Sequence, residues 1–334
     1  MAGTAVLDHY LAPLRPLLEP DDVTELVVNR PGEAGVERQG RWTWHEIPDL
    51  TEPWLRTLAV AAAAFTRQDV GPDRPICSTV LPGGERCQIV LPPVAPEGTV
   101  SLTIRKPSHR RLTLEDFEAG GLFGATGAAR EGEIDAVDAE LIRLRDQGGW
   151  PAFFRLAVEA RRNILISGAT GSGKTTFARG LIDLIPRHER LLTIEDTREL
   201  TAPHRNLVHM VYSKDGHGLA PVGARALLES ALRMRPDRIL FQELRDGSAF
   251  FYLRNVNSGH PGSITTVHAD SAALAFEQLT LLVRESEGGR DLPRDDIRAL
   301  LHLLIDVVVQ MKKVGGRFQM TEVWHEPHRR RRTA

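Results

Sequence analysis

The chain has 334 residues, enough for two domains and a sizeable core, with the ordinary balance of a globular chain at 42% hydrophobic and 26% charged residues. A formal net charge of −2 gives no reason to expect nucleic-acid binding. Cys77 and Cys87, with no His/Cys cluster beside them, read as reduced thiols rather than a metal site. The opening residues lack a basic start followed by an apolar core, and no run of about 18 apolar residues occurs, so neither a signal peptide nor an integral membrane segment is expected.

In chain order, Val6, Leu7, Tyr10, Leu11, Leu14 and Leu18 mark one amphipathic helix over 5–18. A short strand follows over 25–29, then a hairpin turning at Gln39-Gly40, whose Trp42 and Trp44 share one face. Thr51 and Pro53 start a helix over 51–66. Two strands flanking Pro82-Gly83-Gly84 form a second hairpin, and one more strand covers 100–106. These elements predict an α+β N-terminal domain over 1–119. Residues 120–149, rich in small residues and Gly apart from a helical patch near Val137, read as a linker.

From Trp150 to 334, buried apolar strands alternate with helices, predicting an α/β domain with a parallel sheet. Its first strand, Ile164–Ile166, runs into Gly168, Ala169, Thr170, Gly171, Ser172, Gly173, Lys174, Thr175 and Thr176. This is G-x-x-x-x-G-K-[ST] between a strand and a helix, the context a phosphate-binding loop requires. The glycines let successive N–H groups turn onto one phosphate chain, Lys174 can reach the β/γ-phosphates, and the Thr175 hydroxyl suits magnesium. Other expected strands end at Glu195-Asp196, at Gln242-Glu243 and at His268, and an open α/β sheet binds ligand where its strands end. The cofactors expected are ATP and Mg²⁺, with Thr175 and Glu243 nearest the metal. Arg329–Arg332 reads as a solvated tail, or as a contact for anionic lipid or an acidic partner.

Four segments carry a resemblance: Gly168-Ala-Thr-Gly-Ser-Gly-Lys-Thr-Thr176, Thr193-Ile-Glu-Asp-Thr-Arg-Glu-Leu200, Arg233-Met-Arg-Pro-Asp-Arg-Ile-Leu-Phe-Gln-Glu-Leu-Arg245 and Ser258-Gly-His-Pro-Gly-Ser-Ile-Thr-Thr-Val-His-Ala269. In that order they resemble the Walker A, Asp-box, Walker B and His-box motifs of the secretion ATPases, and within them the traffic ATPases of type IV secretion systems, the VirB-eleven class. Thr24-Glu-Leu-Val-Val-Asn-Arg-Pro-Gly32, Gly84-Glu-Arg-Cys-Gln-Ile-Val-Leu-Pro-Pro93 and Leu102-Thr-Ile-Arg-Lys106 extend the likeness into the N-terminal half. The resemblance implies a RecA-like C-terminal domain and a homohexameric ring, with nucleotide between the two domains. Glu243 would orient or deprotonate the attacking water, Glu195 would stand near the same water, and His268 would sense the γ-phosphate. Arg105 and Arg86 would face nucleotide from the N-terminal domain. Partners would be inner-membrane secretion components and an exported DNA or protein, with the ring cytoplasmic and peripheral at the inner membrane. The long linker allows the N-terminal domain to pack on a neighbouring subunit. A pilus-assembly or Tad-type ATPase, a nucleotide-gated scaffold without turnover and a nucleic-acid motor are the alternative readings.

Overall fold

The computed structural model describes residues 2–107, 111–127, 134–213 and 219–330. Linker residues 128–133 and the end of the Arg329–Arg332 run lie outside them. The chain opens with α1 (Ala2–Leu11) and α2 (Arg15–Leu18). Where one helix is predicted there are two, because Pro13 lacks the N–H that would continue the ladder. Then come β1 (Val23–Val28), β2 (Glu33–Arg38), β3 (Arg41–Glu46), α3 (Glu52–Phe65), β4 (Ile76–Val80), β5 (Arg86–Val90) and β6 (Ser101–Arg105). Thr51 caps α3 by accepting the Trp54 N–H at 3.3 Å. Gln39 and Gly40, both at positive φ, make the two-residue turn that sets the β2–β3 register.

The six strands form one antiparallel sheet in the order β3-β2-β1-β6-β5-β4. Strand alternation gives it two different faces. Leu26, Val28, Ile89, Leu102 and Ile104 pack with Leu7, Leu14, Leu55 and Leu58 in a core closed by α1 and α3. The alternate positions, Glu25, Gln88 and Thr103, are polar yet buried. The second half of the molecule covers that face.

That half contains α4 (Leu114–Ala119), α5 (Ala136–Asp146), α6 (Trp150–Glu159), β7 (Ile164–Gly168), α7 (Lys174–Ile182), β8 (Leu191–Glu195), β9 (Leu207–Val211), α8 (Ala224–Ala231), β10 (Arg238–Phe241) and β11 (Glu243–Leu244). It continues with α9 (Ser248–Asn257), β12 (Ile264–Val267), α10 (Ala272–Glu285), α11 (Arg294–Leu304), β13 (Val307–Val314), β14 (Arg317–Trp324) and α12 (Pro327–Arg330). β8 lies parallel between β10 and β9, and β7 lies parallel between β12 and β13, with β14 antiparallel at the edge. Side chains stitch the seam from β12 to β10: Ser263 Oγ donates to the Ile239 carbonyl at 2.7 Å and Thr266 Oγ1 to that of Gln242 at 2.9 Å. Leu227, Leu253 and Phe276 bury one face of the sheet, and Phe153, Leu181 and Leu141 the other. The fold is α/β: a RecA-like P-loop body joined through a linker to a smaller α+β N-terminal one. The second half of the predicted linker is not free, since α5 packs Leu141 into the RecA-like core and pairs Asp138 with Arg162 at 2.9 Å.

The polar face of the first sheet is fastened by Arg190, which is fully buried. Its guanidinium donates to Asn29 Oδ1 at 2.8 Å, Thr103 Oγ1 at 3.1 Å and the Met234 carbonyl at 2.8 Å. Gln88 donates to Ser230 Oγ at 2.9 Å, and Arg235 pairs with Glu37 at 2.5 Å. Trp42 and Trp44, on one face of β3, carry the guanidinium groups of Arg235 and Arg205 on their rings.

Candidate active site

All the parallel strands point their carboxyl ends the same way, and the phosphate loop follows β7 at that edge. Gly168 must be glycine: φ is +155°, and a Cβ there would run into the Met311 carbonyl and Ser172 Oγ. Gly173, at φ +92°, leads directly into α7, whose first N–H groups face the loop. The Lys174 ammonium is buried and donates to the carbonyls of Gly168 at 2.7 Å and Ala169 at 3.0 Å. Burial pushes its pKa down, against the opposing pull of Glu243. The Thr175 hydroxyl makes no side-chain hydrogen bond among the described residues, so it is available to a metal.

Lys174 is also 3.3 Å from His268 Nδ1. An ammonium can only donate, so Nδ1 accepts and the ring proton sits on Nε2. That Nε2 lies 2.5 Å from Glu243 Oε1. Glu243 Oε2 lies 3.4 Å from Arg245, which also pairs with Asp196 Oδ2 at 2.5 Å. Lysine, histidine, glutamate, arginine and aspartate thus form one chain across the carboxyl ends of β7, β12, β11 and β8. Glu243 reaches it because the backbone resumes as β11 after Gln242 and pairs with Thr266-Val267. Two groups absent from the sequence reading support this edge. Ser167 Oγ and Gln310 Nε2 both donate to the Ala269 carbonyl at 3.2 Å, fixing the turn after His268.

Glu195 is not brought to this chain. Its side chain points into the protein, fully buried, and accepts from the amides of Glu199 and Leu200 at 2.7 Å each and from Thr193 Oγ1 at 2.8 Å. Burial alone would raise its pKa, but these bonds and one from His209 hold it below the usual carboxylate range. Its neighbour Asp196 supplies the carboxylate that reaches the site.

Arg86 and Arg105 are not beside their own phosphate loop either. They line a cleft of about 840 Å³ together with Glu25, Arg161, Arg235 and His260. Arg161, Arg235 and His260 precede β7, β10 and β12, so this cleft sits at the amino ends of the parallel strands. A five-residue strand separates it from the loop by roughly 16 Å. Arg86 and Arg105 are paired directly across β5 and β6. Such juxtaposed like charges are unfavourable. Arg105 lies 3.7 Å from Glu25, and Arg86 has no acidic partner among the described residues.

Residues 141–314 match the family described as "Type II/IV secretion system protein". The type IV secretion system protein VirB11 of Bartonella henselae is 49% identical across 98% of this chain and 95% of its own. The VirB11 of Brucella suis is 44% identical across 98% and 92%. The chain belongs to the VirB11 family. A crystal structure of the Brucella suis VirB11 ATPase in complex with sulphate superposes with a TM-score of 0.94 at 43% identity, covering 99% of this chain and 98% of that one. The likeness to VirB11 therefore extends over the N-terminal sheet as well as the RecA-like body. No helix among the described residues is long and apolar enough to cross a membrane.

Proposed function

We propose that the protein is an Mg²⁺-dependent ATPase that powers transfer through a type IV secretion system, working as a homohexameric ring at the cytoplasmic face of the inner membrane. The observation that carries this reading is the contact chain Lys174–His268–Glu243 at the mouth of the phosphate loop. The glycine cradle, the buried ammonium and the available Thr175 hydroxyl fit a magnesium nucleotide. Thr175 would hold the metal, with Glu243 close by, and the ion would neutralise charge on the phosphate oxygens. Lys174 exchanges its carbonyl partners for β/γ-phosphate oxygens. That exchange frees His268 Nδ1 from Lys174, while Nε2 stays beside Glu243. Glu243, flanked by His268 and Arg245, orients the attacking water.

The cleft bearing Arg86 and Arg105 favours completion of the site by a second copy. The two arginines face away from their own loop, stand directly opposite each other with Glu25 3.7 Å from Arg105, and belong to a sheet fastened to the far edge of the RecA-like body. In a ring they would meet the phosphates held by a neighbour, as a swapped connector allows. The division that serves this is an N-terminal domain over 1–119, a connector beginning at 120, and a RecA-like domain that includes α5 and runs to 334. Nucleotide held between two such units biases their angle through contacts that differ between its states. The exported cargo and the membrane partners are those of a secretion channel, with docking through proteins rather than a spanning helix. Lys174→Ala should abolish both nucleotide binding and turnover, and undiminished ATP hydrolysis by that variant would sink the assignment.

A further inference from the structure

The edge hairpin carries a feature that phosphate binding leaves unused. β13 pairs with β7 up to Met311 opposite Gly168, so its last residues and the start of β14 run past the phosphate loop. At that tip Phe318 faces Gly173: a Cβ on Gly173 would lie 3.0 Å from Phe318 Cγ and 3.1 Å from Cδ1. Across the hairpin Lys313 is the partner of Phe318, with its ammonium 5.9 Å from the ring centroid. Yet Phe318 as a residue is 55% exposed. Met320, two residues on and on the same face, is already packed against the core, so Phe318 is the first side chain of that row beyond the packed interior.

One side of this ring rests on the turn that cradles phosphate, and more than half of the residue is exposed. A ring so placed offers a flat apolar face within reach of whatever continues from the phosphate chain. In a nucleotide that is the ribose and the base, and every base has a π-face that stacks on an aromatic ring. The neighbouring Lys313, whose ammonium lies over the ring at 5.9 Å from its centroid, adds positive potential there. We propose that Phe318 is the platform for the nucleobase, and that it separates nucleoside phosphates from base-free phosphates at this loop. The proposal rests on the nucleotide reading of the phosphate loop and adds to it the residue that recognises the other end of the ligand.

The test compares two probes, ADP and inorganic tripolyphosphate, titrated calorimetrically into the full-length protein and its Phe318→Ala and Phe318→Tyr variants. Phe318→Ala should weaken ADP about tenfold, the ratio that about 1.4 kcal/mol of lost stacking corresponds to. It should leave tripolyphosphate affinity unchanged, and Phe318→Tyr should retain ADP affinity because it keeps the ring. Equal weakening of both probes by Phe318→Ala would overturn the proposal, since the ring would then only shape Gly173. An unchanged ADP affinity would overturn it as well. A wild-type protein that binds neither probe would instead refute the phosphate-loop reading on which the proposal stands.

Discussion

Glu25 offers a test of how the cleft between the two bodies is built. It is 5% exposed on the polar face of the first sheet, with one buried carboxylate oxygen unbonded. Burial raises its pKa from 4.5 to about 7, Arg105 pulls the other way, and Glu37 adds to the rise. The native state therefore binds more protons than the unfolded state between those two values. Stability falls as pH climbs through that window, and the full penalty stands above about 7. At ~1.36 kcal/mol per pH unit, the loss between roughly pH 5.5 and pH 8 is on the order of 2 kcal/mol. Glu25→Gln removes the ionisation. Its urea-unfolding free energy relative to wild type should be more favourable at about pH 8 than at about pH 5.5 by that amount. Any constant effect of the amide cancels in the comparison. A difference between variant and wild type that is the same at both pH values would refute the reasoning.

Three further outcomes follow from the same contacts. Arg190→Met fills the volume but leaves Asn29, Thr103 and Met234 acceptors without their buried donor, and should cost about 2–4 kcal/mol in urea unfolding; a loss below about 0.5 kcal/mol would show that the clamp is dispensable. Glu195→Gln should lower thermal stability at neutral pH, because the depressed pKa of Glu195 contributes stability that is present above the ordinary carboxylate range and lost on acidification. If the variant kept wild-type thermal stability and still lost turnover, Glu195 would belong with the catalytic groups after all. Cysteines at 105 and 174 should crosslink between copies, and a crosslink found only within one chain would rule out the swapped site.

Much of the architecture is legible in local chemistry. The Gln39-Gly40 turn, the Thr51 cap and the strand–glycine–helix passage at Gly168 each rest on residues with few alternatives. Pro13 was equally visible, and it outweighs the apolar stripe that spans it. Less legible was the direction of a side chain at a strand end. Glu195 and Asp196 are adjacent acids, and only the turn that returns the amides of Glu199 and Leu200 decides which one is consumed inside the protein. The position of Arg86 and Arg105 is a matter of docking: which edge of the parallel sheet receives the first sheet depends on Arg190, Asn29 and Asn206, residues far apart in sequence. Phe318 carries no motif, and its meaning comes only from the register that sets β13 beside β7.

The measurement that bears most directly on the active-site assignment is phosphate release from ATP by the full-length protein beside Glu243→Gln, with ADP affinity determined on the same samples. Glu243 touches His268 and Arg245 but no part of the glycine cradle, so the amide should leave ADP affinity near wild type while lowering turnover by about 100-fold or more. Turnover by Glu243→Gln equal to that of the wild type would contradict the assignment.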